Sequence, residues 1–421
     1  MGIYFKLYPH VYFIRNKNSA CLYNTLNGDM ISLKEPYISL LELSETNTDL
    51  QNINNNMDFY NQLYKLNLGA FYRQPVYVEK AMLGLGEPLR KVVPETHLIK
   101  ELQIEITKEC NFDCKFCIKE DNILFRKTGC KRWKNEEKAL KLDEWKNIIE
   151  QASQMGCRTL TFFGGEPFIK YSVLYDLVKY AKNFSIANIK VFTNGALLTD
   201  EMLSFIKKEN IELTIQILSF DENCFDKISG VNGAFKKVFR NLDKMLELGI
   251  QFNILFLVNK FNETELEYIK SFKTKIKREV VVDFIHPKPE NNFYSTKYIN
   301  YIYAKERRLI KPNLHTFMFL KNYNCCYGEK IAISENGDVF PCIMSRQLKL
   351  GNIREISKLY KIFDTDFYYF LKKLNKDKIE GCKECAYRYG CIDCRALEMA
   401  ATNKLTGMEY CEFVKQLMGE V

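Results

Sequence analysis

No uninterrupted apolar run in the 421 residues approaches the length of a membrane span, so a bilayer-crossing segment is not expected. The start of the chain, Met1-Gly2-Ile3-Tyr4-Phe5-Lys6, lacks the basic and apolar regions of a secretion signal, which points to a cytoplasmic protein. Segregated charge is also missing. The formal net charge is +9, yet Lys and Arg are mixed with Asp and Glu through stretches such as 127–144 and 372–380, so the surface reads as solvated and nucleic acid is not an expected partner. What the chain has in excess is cysteine. Twelve of its fifteen cysteines fall at 110–130 and 325–411, and without a secretion signal metal explains them better than disulfides do. A chain this long exceeds one ordinary core and divides into two or three domains.

The first cluster is Cys110-Asn111-Phe112-Asp113-Cys114-Lys115-Phe116-Cys117, directly after the alternating run Leu102 to Ile106. Three thiolates spaced by three and two residues can wrap one corner of a cubane iron–sulfur cluster and leave the fourth iron open. Cys130 lies beyond a charged insert and reads as a free thiol. Downstream, Gly164-Gly165-Glu166-Pro167 ends a strand at Arg158 to Phe163, where two glycines let the backbone turn and present its polar groups.

From Leu102 onward helix and strand alternate. Strands are expected near 102–106, 158–163, 188–193, 212–218, 251–258 and 279–285, six in all, with helices between them. Largely apolar strands at this spacing give βα repetition around a parallel sheet, and six favour a partial over a closed eight-stranded barrel. Each strand delivers a polar group at its C-terminal end: Glu166, Thr193-Asn194, Ser219 with Asp221, Asn259 and His286.

Residues 1 to 85 read as short aromatic strands forming a β-meander, followed by three short helical stretches near 36–43, 47–55 and 57–66. Strands with neighbouring helices match the outline of a winged-helix unit, which offers a sheet edge to an extended peptide. The Pro- and Gly-punctuated region that follows is a linker, 86–99, ahead of the barrel at 100–310. The region 311–421 carries Cys325-Cys326, Gly337 to Cys342, Cys382-x2-Cys385-x5-Cys391-x2-Cys394 and Cys411, eight thiols that suffice for two fully ligated cubanes.

Cys110-x3-Cys114-x2-Cys117, with Phe116 before the last cysteine, resembles the signature of the radical S-adenosylmethionine enzymes, and Gly164-Gly165-Glu166-Pro167 resembles a second motif of that superfamily. The resemblance implies that Cys110, Cys114 and Cys117 hold a [4Fe-4S] cluster whose open iron chelates S-adenosylmethionine, and that reductive cleavage there gives a 5′-deoxyadenosyl radical. It further implies a cofactor pocket bounded by Phe116, Gly164, Gly165, Glu166, Thr193, Asn194, Ser219 and Asp221. One departure is Ser229, where relatives often carry an arginine that pairs with the cofactor carboxylate; Lys227 or Lys260 could supply the charge instead.

The array from Gly337 to Cys394 is similar to the SPASM domain, the auxiliary-cluster extension of radical enzymes that modify peptides. By that likeness one auxiliary cluster uses Cys325, Cys326, Cys342 and Cys394, and the other Cys382, Cys385, Cys391 and Cys411, although adjacent Cys325 and Cys326 reach one cluster only with difficulty. The N-terminal outline resembles leader-peptide recognition domains.

The activity these resemblances imply is hydrogen abstraction from a ribosomally made precursor peptide, closing a thioether, carbon–carbon or carbon–oxygen crosslink, with a flavodoxin or ferredoxin as reductant. Two alternatives are a formylglycine-type oxidation, disfavoured by Ile343 where those relatives carry aspartate after the hairpin cysteine, and a non-catalytic peptide-binding or electron-transfer protein.

Overall fold

The computed structural model describes residues 2–16, 19–52, 57–82, 98–117, 138–284, 309–408 and 411. Cys130, His286 and nearly all of the expected 86–99 linker lie outside them.

Aromatic and branched runs broken by Asn-rich turns form β1 (Tyr4–Leu7), β2 (Val11–Arg15), β3 (Ala20–Asn24) and β4 (Asp29–Leu33). Only β2, β3 and β4 make the expected antiparallel meander. The first strand leaves it to pair with β5 (Gly69–Tyr72), which the sequence did not announce because Gly69-Ala70 has little strand preference. Glycine is needed there, since a Cβ on Gly69 would stand 2.4 Å from the Lys6 carbonyl and 2.5 Å from the Phe5 ring. Two helices, Tyr37–Glu45 and Met57–Lys65, and a single 3₁₀ turn at Leu50–Asn52 stand where three helices were expected. They bury Ile38, Leu41, Tyr60 and Leu63 against Phe5, Leu7 and Leu22. Side chains alternate across a strand, so Tyr12, Cys21 and Tyr23 face the other way. They pack on Phe317, Ala386 and Tyr389 of the C-terminal region, where the Tyr23 hydroxyl donates to the Ala386 carbonyl at 2.8 Å.

The centre is β6 (Glu101–Thr107), β7 (Thr159–Gly164), β8 (Asn188–Thr193), β9 (Glu212–Ile217), β10 (Phe252–Val258) and β11 (Val280–Phe284), six strands parallel and adjacent in chain order. On one face Leu102, Ile104, Leu160, Phe162, Val191 and Ile254 meet the apolar stripes of the intervening helices, including Trp145, Leu177, Leu203 and Val238. Each such side chain fully buried contributes roughly 1.5–3 kcal/mol of transfer free energy. The opposite face of β6 carries Gln103, Glu105 and Thr107, all buried.

The sheet does not stop at β6. β12 (Lys330–Ile333) pairs parallel with it, and β13 (Asp338–Phe340) and β14 (Gly351–Asn352) continue antiparallel, giving nine strands in one sheet. The Gly337 turn between β12 and β13, at φ +90°, is the expected hairpin. A buried ion pair from Arg346 to Glu105 and a hydrogen bond from the Ile343 amide to Gln103 Oε1 (3.1 Å) fasten the hairpin's exit to β6. Helices Leu314–Asn322, Asp366–Lys373 and Arg395–Thr402 complete the C-terminal region. Among the described residues no helix is long and apolar enough to cross a membrane.

Candidate active site

The loop bearing Cys110, Cys114 and Cys117 leaves the C-terminal end of β6 and is held from three sides. Along its first residues runs the end of β7: the Gly165 amide donates to the Thr107 carbonyl and the Glu166 amide to the Glu109 carbonyl, both at 2.8 Å. That approach admits no side chain, for a Cβ on Gly164 would lie 2.1 Å from the Thr107 carbonyl oxygen, and one on Gly165 2.1 Å from that of Glu109. From the second side the helix Glu222–Ser229 presents its last carbonyls, which would otherwise lack partners. Ser229 accepts from the Asp113 amide (2.8 Å) and Ile228 from the Lys115 amide (3.1 Å). From the third, Asn194 at the end of β8 donates through Nδ2 to Asn111 Oδ1 (2.8 Å) and lies 3.9 Å from Cys110 Sγ.

Glu166 ties these pieces together. Fully buried, its carboxylate accepts from the Phe168 amide (3.1 Å), the Thr193 hydroxyl (2.7 Å) and the Asn194 amide (2.8 Å). Burial pushes its pKa up to about 7 from the usual 4.5, against the pull of those three donors. Its observed contacts are thus within the protein: it locks the end of β7 to the end of β8.

The structure places the other expected cofactor residues at the same end of the sheet. Ser219 donates to Glu265 Oε1 (2.6 Å), and the same carboxylate accepts from the Phe220 amide (2.5 Å). Asp221 caps the helix Glu222–Ser229 by accepting from the Cys224 amide at 2.8 Å. Phe116 is buried in the central core, and Thr193 Oγ1 accepts from the Gly195 amide at 3.0 Å. Ser229 is buried, its hydroxyl turned to the Asp226 carbonyl at 3.1 Å. Lys227 and Lys260 both lie over the Phe261 ring, at 5.0 and 5.3 Å.

Sequence reasoning missed Glu265, whose signal was the spacing Asn259-x2-Asn262-x2-Glu265 directly after β10. Asn262, fully buried, donates to the Leu218 and Leu257 carbonyls (2.6 and 2.9 Å), which joins the ends of β9 and β10 and brings Glu265 to Ser219.

The C-terminal thiols gather around the hairpin and the segment 382–411, and no described cysteine is in a disulfide. Cys326 is in side-chain contact with Cys342, and Cys394 lies within electrostatic range of Cys342. Cys391 stands in the same relation to Cys382 and Cys411. Cys325 donates through Sγ to the Asp393 carbonyl at 3.3 Å and lies within electrostatic range of Cys326. Cys385 lies near Cys21 and Tyr23 of the N-terminal sheet. Among the described residues no three His, Cys, Asp or Glu side chains close around a single ion.

Two family models match this chain. That of the Radical SAM superfamily covers residues 104–272, and that of the SPASM iron-sulfur cluster-binding domain covers 325–386. A curated relative, GTP 3',8-cyclase of Clostridium botulinum, is 25% identical over 323 residues, 69% of this chain and 97% of its own. Among solved structures, Streptococcus suis SuiB bound to precursor peptide SuiA is 18% identical with a TM-score of 0.58, covering 97% of this chain and 100% of its own. Native anSMEcpe with bound AdoMet is 15% identical with a TM-score of 0.57, covering 76% and 96%. Cysteines outside any disulfide, grouped at the end of β6 and around the hairpin, with β7 and β8 packed on the first group, are the donor set that iron–sulfur clusters take. The chain thus carries a radical SAM domain at residues 104–272 and, C-terminal to it, a SPASM iron–sulfur cluster-binding domain at 325–386.

Proposed function

We propose that this protein is a peptide maturase that abstracts a hydrogen atom from a ribosomally made precursor and closes an intrapeptide crosslink. The observation that carries this reading is the N-terminal unit. Its meander is built onto the cysteine-rich domain through Tyr12, Cys21, Tyr23 and Phe317, while β2 and β4 each have one hydrogen-bonded strand neighbour among the described residues. An extended leader adds to such an edge by main-chain hydrogen bonds. The likeness to SuiB, whose solved complex holds a precursor peptide, extends over 97% of this chain and so takes in that unit.

Cys110, Cys114 and Cys117 hold the [4Fe-4S] cluster in this reading, and the cluster with S-adenosylmethionine supplies one-electron hydrogen-abstraction chemistry when bound. Glu166 and Asn194 keep β7 and β8 packed on the cluster loop, and Glu265 sets the Ser219 hydroxyl. Cys326, Cys342 and Cys394 hold one auxiliary cluster, with Cys325 as the expected fourth ligand. Cys382, Cys385, Cys391 and Cys411 hold the other. The six parallel strands form the partial barrel, and residues 1–85 act as the winged-helix-like leader domain. A formylglycine-type oxidation fits less well, because Ile343 packs against Phe163 and Phe340 and offers no base after Cys342.

A second reading, cyclisation of GTP, is favoured by the curated relative's name and by the 97% of that protein's length the match spans. The match leaves about a third of this chain unaccounted for. Anaerobic incubation of reconstituted protein, reductant and S-adenosylmethionine with a candidate ribosomal precursor peptide, and separately with GTP, decides between them. Loss of two hydrogen atoms from the peptide, seen by mass spectrometry, supports the maturase. A new product from GTP with an unaltered peptide supports the cyclase.

A further inference from the structure

The root of the Cys110–Cys117 loop is gripped on its β7 side by the Gly165 and Glu166 amides. Its other side lies toward β12, which pairs with β6 only as far as Ile333 opposite Ile104 before the chain turns through Gly337 into β13. Among the described residues no strand pairs with β6 on that side beyond Ile104. A backbone amide past that point needs an acceptor from elsewhere. Glu335 supplies one: its Oε2 accepts from the Lys108 amide at 2.9 Å, two residues before Cys110. A carboxylate accepting from an amide makes a charge-assisted bond, roughly twice as strong as one between neutral groups.

The main chain of Glu335 is itself held on two sides. Its amide donates to Glu105 Oε2 at 3.2 Å, and its carbonyl accepts from the Leu140 amide at 2.8 Å. Glu105 is fully buried and is the same carboxylate that pairs with Arg346, which follows Cys342 along the chain. Residue 335 is therefore fixed to β6 before its side chain reaches out to the loop. The hairpin that carries Cys342 at its exit thus also carries, at its turn, a group bonded to the loop that carries Cys110.

We infer that Glu335 is a positioning residue for the Cys110–Cys117 loop, so that the C-terminal hairpin forms one wall of the first thiol site as well as carrying a thiol of its own. The relevance to a cluster rests on the reading above that Cys110, Cys114 and Cys117 hold one. It holds whether the substrate is a peptide or GTP.

The test compares full-length wild type, Glu335→Ala and Glu335→Gln. The alanine variant loses the acceptor but keeps both main-chain bonds of residue 335, while glutamine retains a carbonyl oxygen that can accept from Lys108. Amide exchange at one pH, before any iron is added, should quicken about tenfold or more in peptides spanning 105–112 of Glu335→Ala and stay within about threefold of wild type in Glu335→Gln. Peptides spanning 330–333 and 338–342 should exchange at the wild-type rate in both. After anaerobic reconstitution, iron held by the triad should pass to a chelator faster in Glu335→Ala by about the same factor. Auxiliary iron, followed with Cys110, Cys114 and Cys117 all changed to alanine, should leave at the parent rate. Equal exchange at 105–112 in wild type and Glu335→Ala, or hairpin peptides that quicken as much as the loop does, would overturn the inference. A wild type that takes up no iron at the triad would instead sink the cluster reading, and the exchange comparison would still decide whether Glu335 positions the loop.

Discussion

Exchanging Glu166 for glutamine keeps the shape of the side chain and turns one acceptor oxygen into an NH2 group. Phe168 and Thr193 donate to one carboxylate oxygen and Asn194 to the other. The Thr193 hydroxyl can rotate and accept, but a backbone amide cannot. Whichever way the glutamine lies, one buried N–H faces another N–H, which costs about 1–3 kcal/mol. In a closed pocket this appears as local opening, so amide exchange in peptides spanning 164–170 and 193–196 should quicken roughly 5- to 150-fold in Glu166→Gln. Protonated Glu166 suffers no such clash, because its hydroxyl can donate to Thr193 while both oxygens still accept from the amides.

The pKa of about 7 against the usual 4.5 then fixes the pH dependence. The folded state binds more protons over that interval, so the loop's stability is fullest below about 4.5 and is lost as pH rises through about 7. Hydrogen exchange with mass spectrometry, corrected for intrinsic rates, reads both effects. Equal protection in wild type and Glu166→Gln at all pH values would refute the view that Glu166 locks β7 to β8.

Cys114→Ala removes one ligand from a site with no spare, so 5′-deoxyadenosine formation under dithionite should vanish while most auxiliary iron remains; product chromatography and iron analysis check it, and wild-type product would defeat the assignment. Phe317→Ala empties the contact between the meander and the C-terminal region, where Tyr12, Tyr23 and Tyr389 meet that ring at 4.4, 5.1 and 5.1 Å. A loss of about 3–5 kcal/mol is expected, seen as a lowered unfolding midpoint and as new proteolysis within residues 1–82; an unchanged midpoint would mean that the meander does not depend on this face.

Much of the central sheet was legible because apolar strands and amphipathic helices alternate at a spacing that few other arrangements allow. Each of the six strands lies within two residues of its expected limits, and the polar groups from Glu166 to Asn259 follow the C-terminal ends of their strands as expected. What stayed hidden depends on pairing across long sequence separations. β5 reaches back to β1, and β12 adds itself to β6, because register is set by partners that local propensity does not encode. The roles of the site residues were hidden for a related reason. Glu166 and Ser219 offer groups that could bind a cofactor, yet their partners, Thr193, the Asn194 amide and Glu265, arrive from neighbouring strand ends.

The central claim is hydrogen abstraction from a peptide, and isotope transfer tests it most directly. Precursor peptide deuterated at its core side chains and Cα positions is turned over once with S-adenosylmethionine and reductant, and the recovered 5′-deoxyadenosine is weighed. The account predicts one deuterium per molecule from the full-length peptide, and none when the leader is omitted. Unlabelled 5′-deoxyadenosine in the presence of the full-length peptide, with label acquired instead from deuterated GTP, would contradict it.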